Sequence, residues 1–404
     1  MSGNWLPYNK ISPNSTNLKT LILNDAFVPP SRMELEAMFT NYCSLCLDKY
    51  EQRHMDYFGL NLQIDGSLPA LLELHLDNNK ITSLSGFENT PNLTHLYLGH
   101  NEIPYDFFNQ FMPESLTHLH LESNSIKRLL NFTLIMQLEE LVLDDNKFER
   151  LCSGVKCETK KRKTYDYELE SQLDLTGAIK LRKLSIGDNT IRYIDQEAFI
   201  DLESLQILNL SGNVLKDLPI DVFGNLTNLQ SLALSRNLLK ELPDIDDMDN
   251  LETLLLDGNQ IELINSEAFS NLPKLKTLNI ANNGLIKIAG GAFDALTSLN
   301  ELDLSGNKLI MLPSNWITGI SLNRLHLDRN LFTEIESMSL ANVTTIEYLS
   351  IAGNPLVTLS TRALMELPEM AVINIRRSGS VNATGGEDCS CQNMICPEMK
   401  FKVS

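Results

Sequence analysis

Apolar and polar residues follow one repeating frame along most of this chain. In LQILNLSGNVLKDLPIDVF, residues 205–223, with Leu205 counted as position 1, apolar side chains stand at positions 1, 4, 6, 11 and 14, asparagine at 9 and phenylalanine at 19. Leu208 and Leu210, two apart, point to one side of a short strand, while Ile207, Asn209 and Ser211 point to the other. One face of the strand is therefore core and the other solvent. Leu215, Leu218 and Phe223 are placed to fill the space behind the strand, a set that no single repeat can bury alone.

The position-9 asparagines count the repeats: Asn79, Asn101, Asn124, Asn146, Asn189, Asn213, Asn237, Asn259, Asn283, Asn307, Asn330 and Asn354. Their spacings are 22, 23, 22, 43, 24, 24, 22, 24, 24, 23 and 24 residues, and fixed periods in this range mark a solenoid. Each asparagine carries a donor and an acceptor, so it can satisfy backbone groups where the chain turns off the strand, and stacked repeats can share these bonds as a ladder.

In chain order, residues 1–70 read as an N-terminal cap region. Leu18, Leu21 and Leu23 open a first strand with no position-9 asparagine, and Ser31 with Glu34 makes a capping-box spacing ahead of a helix over about residues 32–47. Cys43 and Cys46 have no second pair to complete a zinc set and read as structural or disulfide cysteines. Residues 71–151 carry four repeats of 22 or 23 residues. Residues 152–180 break the frame as an insertion, in which Cys152 and Cys157 can close a small loop beside a basic run, Lys160, Lys161, Arg162 and Lys163. Such a run is a solvated loop or a docking or cleavage loop. Residues 181–378 return to repeats of mostly 24 residues, with Phe199, Phe223, Phe269, Phe293, Leu340 and Leu364 at position 19 and Trp316 one residue earlier in its shorter repeat. The frame decays after Met370, Ile373 and Ile375, and residues 379–404 bring Cys389, Cys391 and Cys396.

With LPIDVFGNLTN and INSEAFSNLPK among its motifs, the chain is identified as a leucine-rich-repeat protein. Its 24-residue repeats resemble those of extracellular animal proteins, including Toll-like receptor ectodomains, small proteoglycans and insect secreted immune proteins. The first repeat, LLELHLDNNKITSLSGFENTPN, resembles the shorter repeats of intracellular phosphatase-regulator-type proteins. The resemblance implies an α/β solenoid: a leucine-rich-repeat horseshoe with a parallel concave β-sheet and an irregular or short-helical convex side. It also implies that Cys389, Cys391 and Cys396 begin a cysteine-bonded cap, here partial. The resemblance specifies the fold far more closely than the function.

Composition narrows the function classes. The 404 residues are 43% hydrophobic and 21% charged, ample for a continuous core, and the formal net charge of −19 is poorly suited to nucleic acid. No apolar run reaches the roughly 18 residues of a membrane span, and the N-terminus lacks the apolar stretch of a signal peptide, so a membrane enters only through a segment outside this chain. Seven sequons occur, at Asn14, Asn92, Asn131, Asn209, Asn225, Asn342 and Asn382; all but Asn209, which points from the concave sheet, are glycosylation candidates. Seven cysteines leave one unpaired, which in a secreted protein allows a disulfide-linked dimer beside a non-covalent one. These features favour an extracellular, secreted or cell-surface origin, with a cytoplasmic one as the alternative.

The concave sheet presents positions 3, 5, 7 and 8, with neighbouring strands about 4.8 Å apart. Over the first three full repeats position 3 reads Glu73, His95 and His118, position 5 reads His75, Tyr97 and His120, and position 7 reads Asp77, Gly99 and Glu122. His100 adds a histidine at position 8, so five of the seven histidines fall on one patch. Two readings are open: a pH-sensitive or metal-assisted binding surface, or a polar sheet face that happens to use histidine. Glu139, Glu140, Asp144 and Asp145 continue the patch with acid that suits a basic partner, while Ser211, Gly212, Ser235, Gly258, Ala281, Ser305 and Gly306 keep the face small further on. The sequence shows no nucleophile elbow, P-loop, H-E-x-x-H or dinucleotide turn, and no cofactor or metal site is expected. The expected function is non-enzymatic recognition of a protein partner through the concave face, a site given by the repeat geometry, and the resemblance implies a setting in innate immunity or adhesion. The alternative is an intracellular scaffold or regulatory subunit of an enzyme.

Overall fold

The computed structural model describes residues 10–11, 14–27, 60–104, 112–129, 132–157, 171–246, 248–357 and 367–375. The helix expected over 32–47, Cys43, Cys46, the basic run Lys160 to Lys163, Asn131, Leu364, Asn382, Cys389, Cys391 and Cys396 lie outside the described residues. The chain forms two compact units, Met1–Leu205 and Gln206–Ser404.

In the first unit the front sheet runs Thr20–Ile22, Glu73–His75, His95–Tyr97, His118–His120, Glu140–Val142 and Lys183–Ser185, each strand parallel to the next. The period-2 pattern acts as the sequence implies: Leu74, Leu96, Leu119, Leu141 and Leu184 point inward and are fully buried. In the second unit the front sheet runs Ile207–Asn209, Ser231–Ala233, Thr253–Leu255, Thr277–Asn279, Glu301–Asp303, Ser321–His326, Thr345–Ser350 and Glu369–Asn374. The last strand forms although the repeat pattern is fading there. Behind this sheet Phe223, Phe269, Phe293 and Trp316 are buried; Phe269 and Phe293 stack at 5.6 Å, and Trp316 meets Phe293 edge-on at 5.6 Å. The indole needs an acceptor that phenylalanine does not, and its Nε1 donates to the carbonyls of Met338 and Ser339 at 3.1 and 3.2 Å. Leu218, expected in the core, is only half-buried.

The asparagine ladder holds the turns. Asn124 Nδ2 donates to the carbonyls of Leu98, Leu121 and Glu122 at 3.0 to 3.2 Å, and its Oδ1 accepts from Ile103 N at 3.0 Å. Eleven of the twelve ladder asparagines are buried, with Asn283 half-buried. Where the first strand lacks its own asparagine, Asn79 Oδ1 reaches across to Ala26 N and Phe27 N, both at 2.8 Å. The residue before every ladder asparagine has a left-handed φ, eight of them non-glycine (Asn78 to Arg329) and four glycine (Gly212, Gly258, Gly306, Gly353). Asn, Asp and Gly tolerate that region best, which explains most of these choices.

The back of the first unit departs from the expected layout. Leu60–Ile64 is a strand paired with Lys10–Ile11 on one side and Ile81–Ser85 on the other, so residues 1–70 supply regular strands on both sides of the core. The first repeat lacks a position-19 phenylalanine, and Phe87, in the 3-10 turn Phe87–Asn89, is buried instead. The insertion is not simply looped out. Gln172–Asp174 forms a strand between Arg128–Leu129 and Arg150–Cys152, which in turn pairs with Tyr193–Ile194. Leu173, Leu175 and Ala178 are buried, so the insertion ends as part of the core. The front ladder closes over it: Asn189 Nδ2 donates to Leu143 O at 3.0 Å and its Oδ1 accepts from Phe148 N at 3.2 Å, although 43 residues separate Asn146 from Asn189. Cys152 and Cys157 are bonded, the second within the 3-10 helix Gly154–Cys157.

Candidate functional site

On the front of the first unit the strand register sets two columns of side chains. One reads Glu73, His95, His118, Glu140 and Lys183, and the other His75, Tyr97, His120, Val142 and Ser185. Planar rings at adjacent register positions fall within stacking reach of one another. His95 and His118 stack at 4.1 Å and 12°, and His75 and Tyr97 at 4.2 Å and 8°, while His120 meets Tyr97 edge-on at 4.8 Å. Tyr97 thus lies between two imidazoles. Thr94 and Thr117 hydroxyls sit 2.8 and 2.9 Å from the Nδ1 atoms of His95 and His118, fixing those two rings from below.

Carboxylates border the rings. Glu140 Oε1 lies 3.1 Å from His120 Nε2 and 2.8 Å from Lys183 Nζ, and its other oxygen lies 3.9 Å from His118 Nε2. Glu73 is 3.9 Å from His75 Nε2, and Glu122 is 4.0 Å from His120 Nδ1. Glu122 Oε2 is enclosed and has no hydrogen-bond partner among the described residues. Gly99 makes room here: a Cβ at this position would stand 2.7 Å from Glu122 Oε1 and 3.2 Å from Asp77 Oδ1. Asp77 also accepts the Gly99 N–H at 2.8 Å.

The electrostatics follow from this crowding. Burial, and after it the neighbouring His118, holds His95 below the ordinary histidine value. Burial, then the charges of Glu73, Glu140 and Asp77, pushes Tyr97 up. Burial alone would raise Glu140, but the hydrogen bond and charge of Lys183, then His120 and His118, leave it lowered. Asp144 is raised, chiefly by burial, against hydrogen bonds from Ser185 Oγ and Gly187 N.

Not every expected member joins the cluster. His100 occupies the left-handed turn position with φ 54°, is exposed, and among the described residues has no ring contact with the stack. Among the described residues no group of three or more His, Cys, Asp or Glu could hold a metal ion. Of the sequons, Asn14, Asn92, Asn225 and Asn342 are exposed, and Asn209 is half-buried in a front strand.

The second unit holds a smaller cluster that the repeat pattern alone does not single out. His326 Nδ1 lies 3.5 Å from Asp328 Oδ2, and the His326 ring is 5.6 Å from Tyr348. Asp328 also accepts from Ser350 Oγ and from Ala352 N. The Asp328 hydrogen bond is the main cause that raises His326; for Asp328, burial is the largest influence and pushes up, but hydrogen bonds from His326, Ser350 and Ala352 outweigh it and lower it. Reading positions 3, 5 and 7 of the Asn330 repeat would have given Arg324, His326 and Asp328.

The repeat frame, the buried ladder and the parallel front strands make a leucine-rich-repeat solenoid, similar to those of extracellular leucine-rich-repeat proteins. The leucine-rich-repeat family model matches residues 179–239, 214–261 and 249–309, and a two-copy model of the same repeat matches 69–109. Human podocan-like protein 1 is 29% identical over 389 residues, covering 87% of this chain and 74% of that protein. Bovine lumican is 31% identical over 146 residues, covering 35% of this chain, and the chain spans only 40% of lumican's length. Among solved structures, a chain of the octameric complex of Latrophilin 3, Unc5D and FLRT2 (LRR) aligns with a TM-score of 0.49 at 26% identity, covering 61% of this chain and 71% of that one.

Proposed function

We propose that this chain is a non-enzymatic recognition module of the extracellular space, and that it binds a protein partner through the front face of its first unit. The observation that carries this reading is the ring ladder His75, Tyr97, His120, His95 and His118, assembled at positions the fold does not need. Aromatic side chains held rigidly on a flat sheet offer large contact area at little further entropic cost. The resemblance to lumican and podocan-like protein 1, the exposed sequons and the Cys152–Cys157 bond support the secretory route. Adhesion and innate recognition are the settings this repeat class favours.

The test is an array of extracellular proteins probed with the native chain, with Tyr97→Glu and with Lys127→Glu, the latter an exposed residue beside a back strand. A partner lost with Tyr97→Glu and kept with Lys127→Glu supports the reading. A partner indifferent to Tyr97→Glu overturns the assignment of this face.

A further inference from the structure

The front face of the first unit gathers more negative charge than its fold requires, and the groups interleaved with that charge are histidines. Positions 3, 5 and 7 of the five strands from Glu73–His75 to Lys183–Ser185 carry five carboxylates, Glu73, Asp77, Glu122, Glu140 and Asp144, against one lysine, Lys183. With neutral imidazoles that leaves a formal charge of −4, and four charged imidazoles, His75, His95, His118 and His120, would cancel it. Asp25 from the first front strand's turn, and Asp145 and Asp188 from later turns, flank the same face and add to its negative potential, with His100 beside them. Glu122 Oε2 accepts no hydrogen bond among the described residues and faces His120 Nδ1 at 4.0 Å, and the missing Cβ of Gly99 lets the Glu122 and Asp77 carboxylates crowd together there.

Resting on the recognition reading above, we propose that this face is a seat for a basic protein segment, taken up at neutral pH and released in mild acid. Lysine and arginine side chains of the partner pair with Glu122, Asp77, Glu73 and Glu140, and guanidinium groups lie along the ring edges of Tyr97 and the neutral imidazoles. On acidification the imidazoles charge. The contacts already in place, His118 and His120 with Glu140, His75 with Glu73 and His120 with Glu122, then become ion pairs, so the carboxylates that held the partner are neutralised from within the chain. Burial, and after it the neighbouring His118, disfavours charge on His95. Histidine is the side chain whose unperturbed charge change falls between pH 5 and 8, so release in this range cannot come from ordinary carboxylates.

The experiment titrates the full chain with a fluorescent peptide alternating arginine and serine, at constant ionic strength, at about pH 7.5 and about pH 5.5. The expected result is an affinity at least about tenfold weaker at the lower pH. In the triple variant His95→Gln, His118→Gln, His120→Gln the ratio of the two affinities should fall towards one, whatever the absolute affinity. Glu122→Gln with Glu140→Gln should weaken neutral-pH binding several-fold. Because these side chains lie on the outer sheet face, circular dichroism and melting serve as the folding control, and single substitution His118→Gln stands in if the triple variant unfolds. A pH ratio that survives the histidine substitutions overturns the proposal. So does neutral binding that ignores the glutamates. If the peptide fails these tests while an extracellular partner still requires Tyr97, this inference falls and the recognition reading stands; if neither needs the face, both fall.

Discussion

The front strands of the two units share one scaffold and carry different chemistry. Over His75, Tyr97 and His120 the outward side chains are rings and carboxylates in contact with each other. Over Asn209, Ala233, Leu255 and Asn279 the same register positions are occupied by small or uncharged side chains. The inward residues do not change: Leu96 and Leu119 in one unit, and Leu232 and Leu254 in the other, are equally buried. Fold and surface chemistry are therefore written at alternating positions of the same strands, and one can vary without the other.

The largest effects should be indifferent to this contrast. Leu98→Ala and Leu256→Ala remove position-6 core side chains from one unit each, and both should cost about 2 to 5 kcal/mol in urea unfolding. A cost confined to one unit would mean that the cores are not equivalent. Asn124→Ala and Asn237→Ala each leave buried backbone groups unpaired, including Ile103 N and Leu215 N, and should cost at least about 1 to 3 kcal/mol apiece.

Outward substitutions should separate the faces. Tyr97→Ala removes the ring between His75 and His120 and should abolish partner binding, while costing under about 1.5 kcal/mol of stability because the ring is half-exposed. Ala233→Ser, at the equivalent position of the second unit, should change neither quantity measurably. The smallest effect is pH-dependent and belongs to His326, whose raised value means that folding favours its charged form. Its contribution is fully present below the ordinary histidine value of 6.5 and is lost as pH rises through the raised value. His326→Asn should therefore lower the melting temperature at about pH 5 and leave it nearly unchanged at about pH 9.

The inward pattern is legible in the sequence because it repeats: leucine at positions 4 and 6 and asparagine at 9 have no other arrangement that buries all of them at once. The front columns are legible too, since register follows from the same count, which is why Glu73, His95 and His118 can be aligned by counting residues alone. What the count cannot give is rotamers, so the stacking of His75 on Tyr97 and the enclosure of Glu122 Oε2 emerge only in the folded chain. Segments with a single copy are the least legible. Gln172–Asp174 is three residues with no periodic neighbour in sequence, and its partners Arg128–Leu129 and Arg150–Cys152 are set by the back of the core. Leu60–Ile64 escapes for the same reason.

The most direct test is covalent footprinting of the chain, free and bound to the partner recovered from the extracellular array. The account predicts protection of Tyr97, His95, His118 and His120, with the exposed back-strand residue Tyr193 labelled equally in both states. Protection of Tyr193 with unchanged labelling of the rings would contradict it.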